Sequence, residues 1–144
     1  MLPATMADEK LDLLRSVPLF AGLRDKELQR LGMLADEAEL PAGRVLMRQG
    51  EYGNELLVLI DGTVRVERDG DVIAERGAGT VLGEMALLDG GPRTATCTLT
   101  TPSRMLVIGR REFNTLMDEF PEVRMRILET LASRLRTLEP HGAH

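Results

Sequence analysis

Several residue types are almost missing from this 144-residue chain. Cysteine occurs once, at Cys97, so no intrachain disulfide can form and no cysteine-ligated cluster is available. The two histidines, His141 and His144, stand in the C-terminal tail. Their position removes the usual imidazole ligands and the usual general base from the body of the chain. A catalytic role is therefore not expected, and no metal site either. No apolar run approaches the roughly 20 residues that span a bilayer. The segment from Met1 to Lys10 lacks a basic stretch followed by an apolar one, so no signal peptide is evident and a cytoplasmic location is the expectation. Basic charge is scarce too: the formal net charge is −5, which works against contact with a polyanion such as DNA. Lys10 and Lys26 are the only lysines. The remaining positive charge is arginine, whose planar fork suits bidentate recognition of phosphate.

What is present describes a globular domain. Hydrophobic residues make up 43% and charged residues 28%, in a length that holds one core and is too short for two ordinary domains. From Ala7 to Ala38 the pattern is helical, with Leu11, Leu14, Leu28, Leu31 and Leu34 at spacings of three around an apolar turn, Val17 to Leu23. From Leu40 to Ile108 the chain reads as β. Glu55 to Ile60 suits a strand buried on both faces, while Val64 and Val66 alternate with Arg65 and Glu67. Arg68-Asp69-Gly70-Asp71 predicts a tight hairpin turn. Helix returns from Arg111 to Glu119, and again from Pro121, with Leu128, Leu131, Leu135 and Leu138 spaced three, four, three before Pro140 ends it. The expected architecture is α+β: an antiparallel, jelly-roll-like β-roll with N-terminal helices and two C-terminal helices. It forms one domain over residues 8–139, followed by a tail at 140–144 and no DNA-binding domain.

The chemistry concentrates in Gly83-Glu84-Met85-Ala86-Leu87-Leu88-Asp89-Gly90-Gly91-Pro92-Arg93-Thr94-Ala95-Thr96. Its middle can form one helical turn, whose first amides lack internal partners and can meet an anion. Gly83 lets a ligand approach the backbone. Arg93, arriving from the following strand, can neutralise a phosphate with paired N–H donors. Glu84 is an acceptor, suited to a sugar hydroxyl and unsuited to phosphate. Together they point to a sugar phosphate.

This segment resembles the phosphate-binding cassette of the cyclic-nucleotide-binding domain family, which includes bacterial catabolite activators and the regulatory subunits of cAMP-dependent protein kinase. The resemblance rests on Gly-Glu-x-Ala-Leu, a short spacer and Pro-Arg-Thr-Ala. It extends through Pro18 to Leu23, Gly50-Glu51, Ile60-Asp61-Gly62, Glu112-Phe113 and Pro121-Glu122, about Leu11 to Leu138 in all. It implies that Glu84 holds the ribose 2′-hydroxyl and that Arg93 pairs with the cyclic phosphate. The backbone N–H groups of Ala86 and Thr94 would assist, Gly83 would shape the ribose side, and Met85 would contribute backbone. It further implies a lid from the last helix, with Arg134 near the ligand and Leu138 over the base. A leucine caps a purine by apolar contact but cannot hydrogen-bond its amino group, and Thr94 is compatible with either cyclic nucleotide. The implied ligand is cAMP, with cGMP as the alternative.

Blander readings apply residue by residue. Glu84 and Arg93 could form an ion pair between loops, worth about 0–1 kcal/mol if exposed. Met85, Leu87 and Leu88 read as core, and Cys97 as a small buried apolar group. Arg104, Arg110, Arg111, Arg124, Arg126 and Arg136 read as solvated surface. The leucine stripe of the last helix has three possible uses: core packing, ligand lid or homodimer seam. The function expected is a cyclic-nucleotide sensor acting on an effector protein, without direct DNA binding. The competing readings are a ligand-independent interaction or dimerisation module, and a sensor fragment of a larger transcription regulator. A cupin-like enzyme would need histidines on its strands, and the β region has none.

Overall fold

A computed structural model describes residues 4–138, with side chains from Glu9 onward. Two N-terminal helices, α1 (Ala4–Arg15) and α2 (Asp25–Leu34), flank a 3-10 turn at Pro18–Phe20. The strands are β1 (Asp36–Leu40), β2 (Val45–Met47), β3 (Glu55–Asp61), β4 (Val64–Arg68), β5 (Asp71–Arg76), β6 (Val81–Leu82), β7 (Thr96–Leu99) and β8 (Ser103–Gly109). A short helix, α3 (Glu84–Asp89), interrupts them, and α4 (Arg110–Glu119) and α5 (Glu122–Leu138) follow. The strands form two four-stranded antiparallel sheets, in the orders β1-β8-β3-β6 and β2-β7-β4-β5. This is the expected β-roll with helices at both ends.

The continuous apolar run of β3 is explained by two cores. Leu56, Val58 and Ile60 face the helices, where they meet Phe20, Leu28, Leu31, Phe113, Val123 and Ile127. The alternate residues, Leu57 and Leu59, face the second sheet, against Met47, Val64, Cys97 and Leu99, with Met105 of β8 beside them. Period-two alternation thus serves a sheet covered on both faces. Burial pushes the Cys97 thiol up, as befits a small apolar side chain in this inner layer. The β4–β5 turn falls at Asp69 and Gly70, both in the left-handed region, at φ 54° and 85°.

Two expectations change, and the structure narrows the open uses of the α5 stripe. The helical pattern stops at Leu34, and Asp36–Leu40 is strand β1, paired along its length with β8. Ala38 continues the spacing of the leucines, but here Ala38 and Leu40 alternate inward from acidic neighbours at the sheet edge. The buried face of α5 is Val123 and Ile127 with Leu131 beside them, whereas Leu128, Leu135 and Leu138 are exposed. The helix carries two apolar stripes that share Leu131, and spacing alone does not say which one the body of the protein covers. Met85 is 50% exposed and is not core, while Leu87 is buried and Leu88 packs against it. Pro140 and the 140–144 tail, with both histidines, lie outside the described residues.

Candidate functional site

The cassette begins where β6 ends. Gly83 takes φ +75° and caps α3, and Gly90, at φ +63°, ends that helix with its N–H on the Ala86 carbonyl. Arg110, at the start of α4, donates to the carbonyls of Leu87 (3.3 Å) and Leu88 and so satisfies the C-terminal end of α3. Ala86, within α3, is buried, while Thr94 is exposed.

Arg93 does not lie on a strand. It precedes β7 in a loop clamped to the β2–β3 connection: Gly50 N–H donates to the Arg93 carbonyl (2.8 Å), and Arg93 N–H donates to that of Glu51 (2.7 Å). The guanidinium passes between two glycines. A Cβ on Gly53 would collide with Nη2, Nε and Cζ, and one on Gly83 would collide with Nη1 and with the Glu55 carbonyl oxygen. Gly83 therefore first makes room for the arginine, and Gly53 forms the other wall. Seated there, Arg93 is only 9% exposed, and Nη1 donates to the Glu55 carbonyl at 3.0 Å. Among the described residues no carboxylate pairs with it. A buried charge ordinarily carries a partner, because desolvation without one costs several kcal/mol.

Glu84 makes no pair with Arg93 either, so the simple ion-pair reading of the two residues fails. Its Oε2 accepts the Leu19 amide N–H at 2.7 Å, and its Oε1 accepts from Arg134 Nη1 at 3.1 Å. Its side chain is 14% exposed, against 42% for Arg134. The carboxylate thus joins three elements: the cassette, the 3-10 turn of the N-terminal region, and α5. Of the two residues expected in a lid, Arg134 reaches the cassette, while Leu138 is 79% exposed at the end of the described helix.

Sequence reasoning missed Gly53, the Leu19 amide and the Glu55 carbonyl. Gly53 was visible only as one of many glycines among the strands, and backbone groups leave no side-chain signal. It also misjudged several arginines. Arg126 is 17% exposed and faces the buried Glu27 with its guanidinium, and Arg110 caps α3. Arg104 pairs with Asp61 (2.9 Å) at a partly exposed position, whereas Arg124, 3.6 Å from Asp118, is exposed as expected. Arg111 and Arg136 are exposed as expected.

Comparisons with known proteins bear on the family and the fold. The profile of the cyclic nucleotide-binding domain matches residues 37–120. The N-terminal domain of a transcriptional regulator from Streptomyces coelicolor A3(2) superposes with a TM-score of 0.81 at 36% identity, over 88% of this chain and 92% of that one. A cyclic nucleotide-gated potassium channel of Rhizobium etli is 34% identical over 122 residues, 85% of this chain and 34% of the channel. A CRP-like cAMP-activated global transcriptional regulator of Mycobacterium tuberculosis is 28% identical over 130 residues, 87% of this chain and 58% of the regulator. The chain thus spans about a third to three fifths of the length of the curated relatives it matches. Matched by the profile over more than half of its length, and folded as a β-roll, the chain belongs to the cyclic nucleotide-binding domain family.

Proposed function

We propose that this domain is a sensor that binds cAMP, in preference to cGMP, between its cassette and α5, and transmits occupancy through its C-terminal helices. Arg93 carries the reading. A buried guanidinium with one donor on a carbonyl and no carboxylate partner among the described residues calls for an anion, and a cyclic phosphate supplies the charge and the paired acceptors. The amides of Ala86 and Thr94 would complete the phosphate site, with Met85 contributing backbone. Glu84, aimed by Leu19 and Arg134, would accept the ribose 2′-hydroxyl beside Gly83. Arg134 and Leu138 would form the lid, the base covering a leucine that is otherwise exposed. The regulator of Mycobacterium tuberculosis described as cAMP-activated supports the choice of nucleotide.

Transmission follows from the same contacts. A hydroxyl drawing on Glu84 alters bonds to the 3-10 turn and to α5 at once, and a ligand moves an equilibrium only through such differential contacts. Coupling of this kind amounts to about 1–3 kcal/mol. The exposed Leu128 and Leu135, seven residues apart on α5, would pair with a second copy. The output would pass to an effector protein in the cytoplasm, since a net charge of −5 disfavours direct DNA contact. No helix among the described residues is long and apolar enough to cross a membrane. The role is regulatory and not catalytic.

Calorimetric titration of the native chain with cAMP and with cGMP tests the proposal. Saturable binding that is tighter for cAMP is expected. Silence with both nucleotides would overturn it in favour of a ligand-independent interaction module.

A further inference from the structure

Glu27 is the one buried carboxylate among the described residues, with no exposed surface at all. It stands in the first turn of α2, where it accepts the Arg24 amide N–H at 2.8 Å, and both of its oxygens face Nη1 of Arg126 on α5. Its neighbours on α2 hold the same junction. Arg30 makes two bonds to Glu119 at the end of α4 (2.6 and 2.8 Å), and Lys26 Nζ lies 5.6 Å from the centre of the Phe120 ring. Close by, a Cβ on Gly22 would stand 3.4 Å from Thr130 Oγ1 and 3.7 Å from Arg126 Cβ, so α5 lies tight against that turn.

None of these residues belongs to the cassette, yet α5 carries Arg134 to it. Arg134 is eight residues beyond Arg126, about 12 Å along the helix. Val123 and Ile127 bury the near end of α5, whereas Leu135 and Leu138 at the far end are exposed. At that lever length a tilt of about 10° around Arg126 displaces Arg134 by roughly 2 Å, enough to open the 3.1 Å bond to Glu84. A buried ion pair adds little net stability over an apolar pair of similar volume, but its directional bonds fix a geometry that an apolar contact leaves free.

From this arrangement we infer that Glu27 and Arg126 are positioning residues: they set the direction of α5 from inside the N-terminal helices, so that Arg134 meets Glu84 and aims it at the ligand's ribose hydroxyl. The inference rests on the reading of the site as a cyclic-nucleotide pocket, and deepens it.

The test measures affinities for cAMP and for 2′-deoxy-cAMP in the native chain, in Glu27→Gln and in the double variant Glu27→Leu/Arg126→Leu. Thermal melting of each protein checks that it folds. The double variant guards against a Glu27→Gln protein that does not, since it leaves no buried charge unpaired. The native chain is expected to prefer cAMP. In the folded variants cAMP should bind roughly 5- to 20-fold more weakly, while the deoxy analogue changes by less than about twofold, so that the preference collapses. Folded variants that keep the native ratio, or that lose both ligands equally, would overturn the inference and leave the pair a purely structural one. A native chain that binds neither nucleotide would instead overturn the pocket reading itself, a result separable from the other two.

Discussion

Replacing Gly53 with alanine isolates the seat of Arg93. Gly53 is not in the left-handed region, so the substitution introduces no backbone strain and acts only through the added methyl group. That methyl would lie 2.5 Å from Arg93 Nε and 2.6 Å from Cζ, against an ordinary carbon contact of about 3.5 Å. The guanidinium must therefore shift by about 1 Å. Such a shift takes Nη1 out of bonding range of the Glu55 carbonyl, now at 3.0 Å. A hydrogen bond made by a charged group contributes about 1.5–3 kcal/mol, so a phosphate that depends on this placement should bind about 10- to 100-fold more weakly. Overpacking at a tight site should also cost about 1–3 kcal/mol of stability. Gly77→Ala is the control, because its methyl would find nothing nearer than the Gly62 carbonyl at 3.8 Å. Calorimetry with cAMP and a melting curve on both variants give the two readouts. A Gly53→Ala protein that binds and melts like the Gly77→Ala control would refute the two-glycine slot.

Other consequences follow from the same contacts. Arg110→Ala strips the Leu87 and Leu88 carbonyls of their donor and should destabilise the fold by about 1–2 kcal/mol, seen as a lower melting temperature together with weaker cAMP binding. Burial pushes the Glu27 carboxyl up, but the Arg24 amide and the Arg126 guanidinium outweigh it and hold it below its ordinary value of 4.5. With the folded-state value depressed, the stability it contributes is present above about pH 4.5 and is lost as pH falls through the folded value. Glu119, held down by Arg30, adds in the same direction. Melting temperature should therefore fall on acidification below about pH 4.5, and Glu27→Gln should flatten that slope. Leu128→Lys/Leu135→Lys places charge on the open stripe of α5; light scattering should show a native dimer becoming a monomer, and a native monomer would refute the seam.

The legible parts of this protein are those whose signal is local. Gly83, Glu84 and Arg93 fall within eleven residues of one another, and each is of a type demanded by what it contacts. The Asp69-Gly70 turn and the doubly buried β3 were equally plain, because φ preference and period-two alternation are properties of adjacent residues. What stayed hidden depends on distant partners. Gly53 matters only because Arg93, forty residues on, lies against it. Arg126 reads as surface until Glu27, ninety-nine residues away, is folded beneath it. The use of the α5 stripe stayed open for a related reason: Val123-Ile127-Leu131 and Leu128-Leu131-Leu135-Leu138 are both helical stripes, and only the turn at Gly22 and the helix α2 decide which is covered. Strand β1 was missed because Asp36-Glu37-Ala38-Glu39-Leu40 has no β-branched residue, and its pairing with β8 prevails over propensity.

If the buried, carboxylate-free Arg93 is a phosphate seat, calorimetry of cAMP with the native chain and with Arg93→Ala will separate the two proteins. Saturable one-site binding by the native chain is expected, with a loss of at least about 100-fold in a variant that still folds, since a buried charged donor pair is removed. Equal affinity in the two proteins, or no binding by the native chain, would contradict it.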